Sequence, residues 1–228
     1  MNRRERVIST IKFQPTDKIP FDVDFEDATV EKIFQTLGHR DFNRLLEYLD
    51  VDFRRISAEG VKDKNCGEYY QNFWGERYVL RKTKWGIVRE DLPGALSNAR
   101  SFNEIKNFDW PSTDLFDYSC LDDLCKKYDG YSIIYGFADI WQRPCLVRGM
   151  ENALIDMVEN PDWMHFLSRK FTDFYKEDYY KAYKAANGRI DIFLVISDLG
   201  SQNGLLISPD MFDEFVYPYL KELTDHIH

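Results

Sequence analysis

Between Ile192 and Ile196 five apolar residues follow one another without a polar break, and the run stops at Ser197-Asp198. It is too short for a helix and too continuous for a half-exposed strand, so it predicts a strand buried on both faces. Gly200, Gly204 and the polar residues around them read as a loop, and Ser208-Pro209 as a helix start. Upstream, Phe21, Val23 and Phe25 alternate strictly with Asp22 and Asp24, which predicts a strand whose carboxylates point inward or toward an open end. Val51–Ile56 and Tyr131–Phe137 give two further strands.

Helical spacing fills the intervals. Val7, Ile8 and Ile11 mark a short first helix closed by Pro15, and Val30, Ile33, Phe34 and Leu37 a second, started by Asp27 or Thr29 and ended by Gly38. Asp41 caps a third, and Tyr118–Tyr128 reads as a fourth. Arg143–Arg148 reads as a loop, followed by an apolar stripe from Met150 to Val158. A long helix after Asn160-Pro161 turns Met164, Leu167, Phe171, Phe174 and Ala182 to the core, and Pro218 should kink the last one. The alternation is that of an α/β protein with a parallel sheet. About four strands are counted, where a closed (β/α)8 barrel of TIM type needs eight. The expected organisation is one partial barrel domain over 1–228, with an insertion at about 65–111. A hairpin from Tyr78–Leu80 and Trp85–Val88 lies within it, and its aromatics either cover a site or glue the excursion to the body.

Composition narrows the partners. A net charge of −9 with no basic stripe argues against nucleic acid and anionic membranes. No window approaches the ~20 apolar residues of a membrane span, and the basic start MNRRERVISTIKF has no apolar core of a secretory signal. Cys66, Cys120, Cys125 and Cys145 form no C-x-x-C pair, so reduced thiols and a cytoplasmic location are expected.

Ligands of parallel α/β folds bind at the carboxyl ends of strands. Asp198, just past its strand, is therefore the candidate catalytic residue, against the plain alternative of a loop-capping Asp. Asp139, just past the strand at 131–137, is a second candidate. Gln202 and Asn203 can donate and accept toward a ligand, or merely satisfy their own loop. Arg148 precedes a helix whose first turn carries Glu151. Asp22 and Asp24 complete the candidate substrate-binding set. His226 and His228 are two apart and cannot chelate together, and no metal ligand is assigned.

Five segments in order, RRERVISTIKFQPTDKIPFDV, YLDVDFRRI, WPSTDLFDYSCL, RGMENALIDMVENPDWM and SDLGSQNGLLISPDMFDEFVYPYLKEL, resemble the uroporphyrinogen decarboxylase superfamily, which includes the corrinoid-linked methyltransferases. The resemblance implies a TIM-type barrel with its site at the strand ends. It also implies that the present chain spans only about the first four β/α units, lacking the C-terminal half. True decarboxylases are recognised by an Arg-Gln-Ala-Gly-Arg segment after the first strand, whose arginines hold substrate carboxylates. Here that region offers Asp22, Asp24, Glu26 and Asp27, which would repel a polyanionic tetrapyrrole. The methyl-transfer branch is accordingly expected over porphyrin-biosynthetic decarboxylation. That branch implies zinc and a corrinoid, with a small molecule or a corrinoid protein as substrate; its zinc ligands, one His and two Cys, would lie beyond His228. The remaining expectation is a non-catalytic half-barrel whose open sheet edges are covered by a second copy or another chain.

Overall fold

Asn2 and Glu5 open the chain with a reciprocal capping box, each side chain accepting from the other's backbone N–H. The structure is a computed structural model that describes residues 1–84 and 86–228; the predicted strand residue Trp85 lies outside them. After α1 (Arg3–Ile11) come α2 (Asp27–Leu37), α3 (Phe42–Tyr48) and β1 (Phe53–Ile56). Next follow β2 (Lys64–Asn65), β3 (Tyr70–Gln71), β4 (Arg77–Thr83), β5 (Gly86–Leu92), α4 (Phe102–Lys106), a 3-10 turn at Thr113–Leu115 and α5 (Leu121–Lys127). Then β6 (Ser132–Ala138), α6 (Gln142–Arg148), α7 (Met150–Glu159) and α8 (Pro161–Ala185) lead to β7 (Ile192–Val195). The short strands β8 (Gly200–Ser201) and β9 (Gly204–Leu205) precede α9 (Pro209–Phe215) and α10 (Tyr217–Ile227).

The central sheet is parallel, in the order β1-β6-β7. Register and pleat put Ile56, Tyr135 and Phe193 on one face, where the rings of Tyr135 and Phe193 meet Tyr179 of α8. That helix face carries most of the core. Phe53, Arg55, Ile134, Ile192 and Leu194 share the opposite face, where Ile192 and Leu194 are only half-buried. The expected burial of β7 on both sides is thus corrected: among the described residues its second face has no helix packed over it comparable to α8.

The strand expected at 21–25 does not form a ladder. Asp52, fully buried and ion-paired to Arg6, takes its place in the bonding. Its carboxylate accepts from the Phe21 N–H at 2.8 Å, while its own N–H donates to the Phe21 carbonyl at 2.9 Å. The segment is pinned at one residue by a side chain and needs no strand neighbour. The described parallel sheet therefore has three strands where four were expected. Residues 143–148, expected as a loop, form α6, because the Asp139 carboxylate caps the turn that starts it. Pro218 falls in the first turn of α10, and Val216 separates that helix from α9.

The insertion folds as a four-stranded antiparallel sheet, order β2-β3-β4-β5. It is anchored by the turn at 72–76, where Asn72 Oδ1 accepts from the N–H groups of Trp74 and Glu76 and Gly75 takes φ +86°. Trp74, 1% exposed, stacks on Phe171 at 4.2 Å and meets Phe174 edge-on. This aromatic fastens the excursion to α8.

Candidate functional site at the strand ends

The carboxyl ends of β6 and β7 are locked together by one carboxylate. Asp139, 3% exposed, accepts at Oδ1 from the Trp141 N–H (3.0 Å), the Gln142 N–H (2.8 Å) and the Ser197 hydroxyl (2.9 Å). Two donors lie on its own chain turn and the third beyond the end of β7, so the group fixes where both strands finish. Burial pushes its carboxyl above the usual range, against these three donors and the nearby Arg143 charge.

Asp198 follows Ser197 directly and is exposed. Its backbone carbonyl accepts from Trp141 Nε1 at 3.1 Å, which holds the loop while leaving the carboxylate in solvent. Ser197 and Trp141 carry this geometry, and neither is marked by the strand pattern. Gln202 and Asn203 form the exposed tip between β8 and β9, where the Asn203 N–H donates to Ser201 Oγ.

The remaining candidates separate. Asp24 is exposed. Asp22 is ion-paired at 2.8 Å to Arg55, an arginine on the less covered face of the sheet that sequence reasoning passed over. Its signal was present in the alternation: Arg54 and Arg55 sit in mid-strand, so one of them must leave the core face. Arg148 lies 4% exposed inside the body, bonded to Asp156 at 2.6 Å and to the Leu96 carbonyl at 2.8 Å. There it ties the loop at 94–99 to α6 and α7.

A bulge completes the corner. The β6–β7 register shifts between Tyr135 and Ala138, Gly136 takes φ +87°, and the Tyr179 hydroxyl fills the gap, accepting from the Ala138 N–H at 2.9 Å and donating to the Leu194 carbonyl. A Cβ on Gly136 would sit 2.4 Å from the Tyr179 ring, so only glycine fits. Phe137 is thrown outward, 53% exposed, at the rim.

Fold and strand-end geometry define the class: a mixed α/β protein with a parallel sheet, compatible with a partial TIM-like fold. The family model described as Uroporphyrinogen decarboxylase (URO-D) matches residues 120–228. A solved structure of a methyltransferase from Methanosarcina mazei superposes with TM-score 0.70 at 12% identity, covering 100% of this chain and 68% of that one. At that identity the likeness is one of fold. No curated protein sequence matches the chain. Together these findings support the resemblance to the uroporphyrinogen decarboxylase superfamily, carried in sequence by the part from α5 through α10.

Among the described residues no three His, Cys, Asp or Glu side chains come together as a metal site. The zinc implied by the methyl-transfer branch therefore has no ligands to assign here. All four cysteines are free thiols, and no helix is long and apolar enough to cross a membrane.

Proposed function

We propose that the strand-end site serves methyl transfer within the uroporphyrinogen decarboxylase superfamily, not strict decarboxylation of uroporphyrinogen. The observation carrying this reading is the balance of charge. Asp24 and Asp198 are exposed, and Arg55, the cation on the less covered face of the sheet, is already committed to Asp22. A polycarboxylated tetrapyrrole needs free, bidentate arginines. A small or neutral methyl donor does not.

In this reading Asp198 is the group that acts on the substrate. Asp22, Asp24, Gln202 and Asn203 offer polar contacts around it. Asp139 and Arg148 position the frame from behind, Asp139 through Ser197 and Arg148 through α6. A corrinoid, free or protein-bound, is the proposed methyl carrier.

Incubation with uroporphyrinogen should yield no coproporphyrinogen, and incubation with methylcobalamin and a thiol acceptor should yield methyl transfer that Asp198→Ala abolishes. Coproporphyrinogen formation would overturn the proposal. A second reading, self-association, is favoured by the position of β7 as an edge strand with β6 as its one ladder partner among the described residues. Light scattering showing a monomer at all concentrations would remove it.

A further inference from the structure

A cavity of about 350 Å3 lies at the carboxyl ends of β1 and β6, bounded also by α8 and by the insertion. Its walls are largely rings and aliphatic carbons, from Ile56, Phe73, Trp74, Phe116 and Phe174. Its polar lining comprises Arg55, Ser57, Tyr135, Arg143, Tyr175 and Asp178. Arg55 is ion-paired to Asp22 and Tyr135 donates to Asp178, which leaves Arg143, Tyr175 and Asp178 to consider. Each of the three has bonding capacity left over.

Tyr175 is 5% exposed, and its hydroxyl donates to no acceptor among the described residues. The backbone N–H of Asp139 lies within electrostatic reach, but as a donor it can address only the oxygen, so the hydroxyl proton is without an acceptor. Arg143 donates from Nη1 to Glu76 at 2.9 Å, and its buried Nε–H has no partner. Asp178 receives the hydroxyls of Tyr118 (2.8 Å) and Tyr135 (2.9 Å), both at Oδ1, and no described residue donates to Oδ2. A buried donor left unmade is costly, so two such donors beside one cavity call for an acceptor within it.

Charge narrows the class. Arg143 is already matched by Glu76, which is 2% exposed and also holds Arg89 at 3.0 Å. Asp178 adds a carboxylate from the same helix as Tyr175. An anionic ligand would find both lining arginines already ion-paired, Arg143 to Glu76 and Arg55 to Asp22, and would meet that acid. A neutral group with a carbonyl oxygen for Tyr175 and Arg143, and an N–H for Asp178 Oδ2, satisfies all three. Tyr175 and Asp178 are three apart on α8 and so share one side of the helix.

We infer that this cavity is a binding site for a small neutral aromatic carboxamide or lactam, its ring between the phenylalanines and its amide bridging the Tyr175–Arg143 pair and Asp178. The inference does not depend on the reaction proposed for the strand ends.

The test is titration of the full chain with benzamide, benzoate and toluene, followed by saturation-transfer NMR and calorimetry, in wild type, Tyr175→Phe and Asp178→Asn. Benzamide should bind saturably and more tightly than the other two, and Tyr175→Phe should weaken it about tenfold, as expected for one hydrogen bond. Because the Tyr175 hydroxyl donates to no group in the folded chain and receives at most the Asp139 N–H, Tyr175→Phe should fold close to wild type, which separates lost binding from lost structure. Asp178→Asn should weaken benzamide while retaining an oxygen for the two tyrosines. Benzoate binding as tight as benzamide, toluene binding as tight as benzamide, undiminished binding in Tyr175→Phe, or no saturable binding each overturns the inference.

Discussion

Two carboxylates, Asp139 buried and Asp178 half-buried, lie on either side of the bulge in β6 and differ in what holds them. Asp139, at the strand-end corner, is gripped by two backbone N–H groups and a serine; Asp178, on α8, is gripped by two tyrosine hydroxyls and borders a cavity. Burial pushes both carboxyls above their ordinary range. A carboxylate bonded to backbone fixes the path of the chain, so its loss moves secondary structure. A carboxylate bonded to side chains alone leaves the chain where it is, so it is free to take a role in binding. The same acid, desolvated in both places, is architecture in one and, in the proposed cavity site, recognition in the other.

The largest effect should come from the buried ion pair that ties α6 to α7. Arg148→Ala would strand the Asp156 carboxylate, 2% exposed, and should cost about 3–5 kcal/mol in chemical denaturation. Asp139→Ala should cost about 2–3 kcal/mol, since it leaves the Trp141 and Gln142 N–H groups and the Ser197 hydroxyl without their acceptor. A loss below about 0.5 kcal/mol would show that the cap is dispensable and would erase the contrast.

On the cavity side the sharper readout is pH. The folded Asp178 holds its proton more tightly than the unfolded chain does, so its contribution favours folding at low pH. That contribution is lost as pH rises from about 4, the ordinary value, through the raised folded one. Asp178→Asn should flatten this part of the stability-against-pH curve. Asp17 and Asp50 act in the opposite sense. They are held below their ordinary range by Arg6 and Lys18, so their contributions are lost on acidification, and Asp178→Asn should leave that limb unchanged. An unchanged curve above pH ~4 would show that the Asp178 proton is not linked to folding.

The smallest effect on stability should be at Asp198. Its side chain is exposed, and Asp198→Ala should shift stability by no more than about 0.5 kcal/mol while removing the proposed methyl transfer. Retained transfer would move the reacting group elsewhere on the strand ends.

Much of the frame was legible in local pattern. The Gly38 stop of α2, the Asp41 cap, the Ser208-Pro209 start and the β4–β5 hairpin each depend on residues a few positions apart, and each formed as the pattern requires. Asp139 was singled out by its place after a strand, and the structure explains that place as a cap. Asp178 left a fainter signal, an acid on the apolar stripe of α8 that runs through Phe171, Phe174 and Ala182. A charge on a core-facing stripe asks for partners, but periodicity cannot say which.

What the sequence determined by itself was where most of the capped helices and the strands β1, β6 and β7 fall, because capping, turns and amphipathic periods act within one or two turns of chain. Tertiary structure alone decided three things: that 21–25 is pinned by Asp52 in place of a ladder, that Arg55 meets Asp22, and that Glu76 reaches Arg143 across 67 residues. Such contacts follow from how layers stack and which groups are left buried without water, and no local spacing encodes that choice.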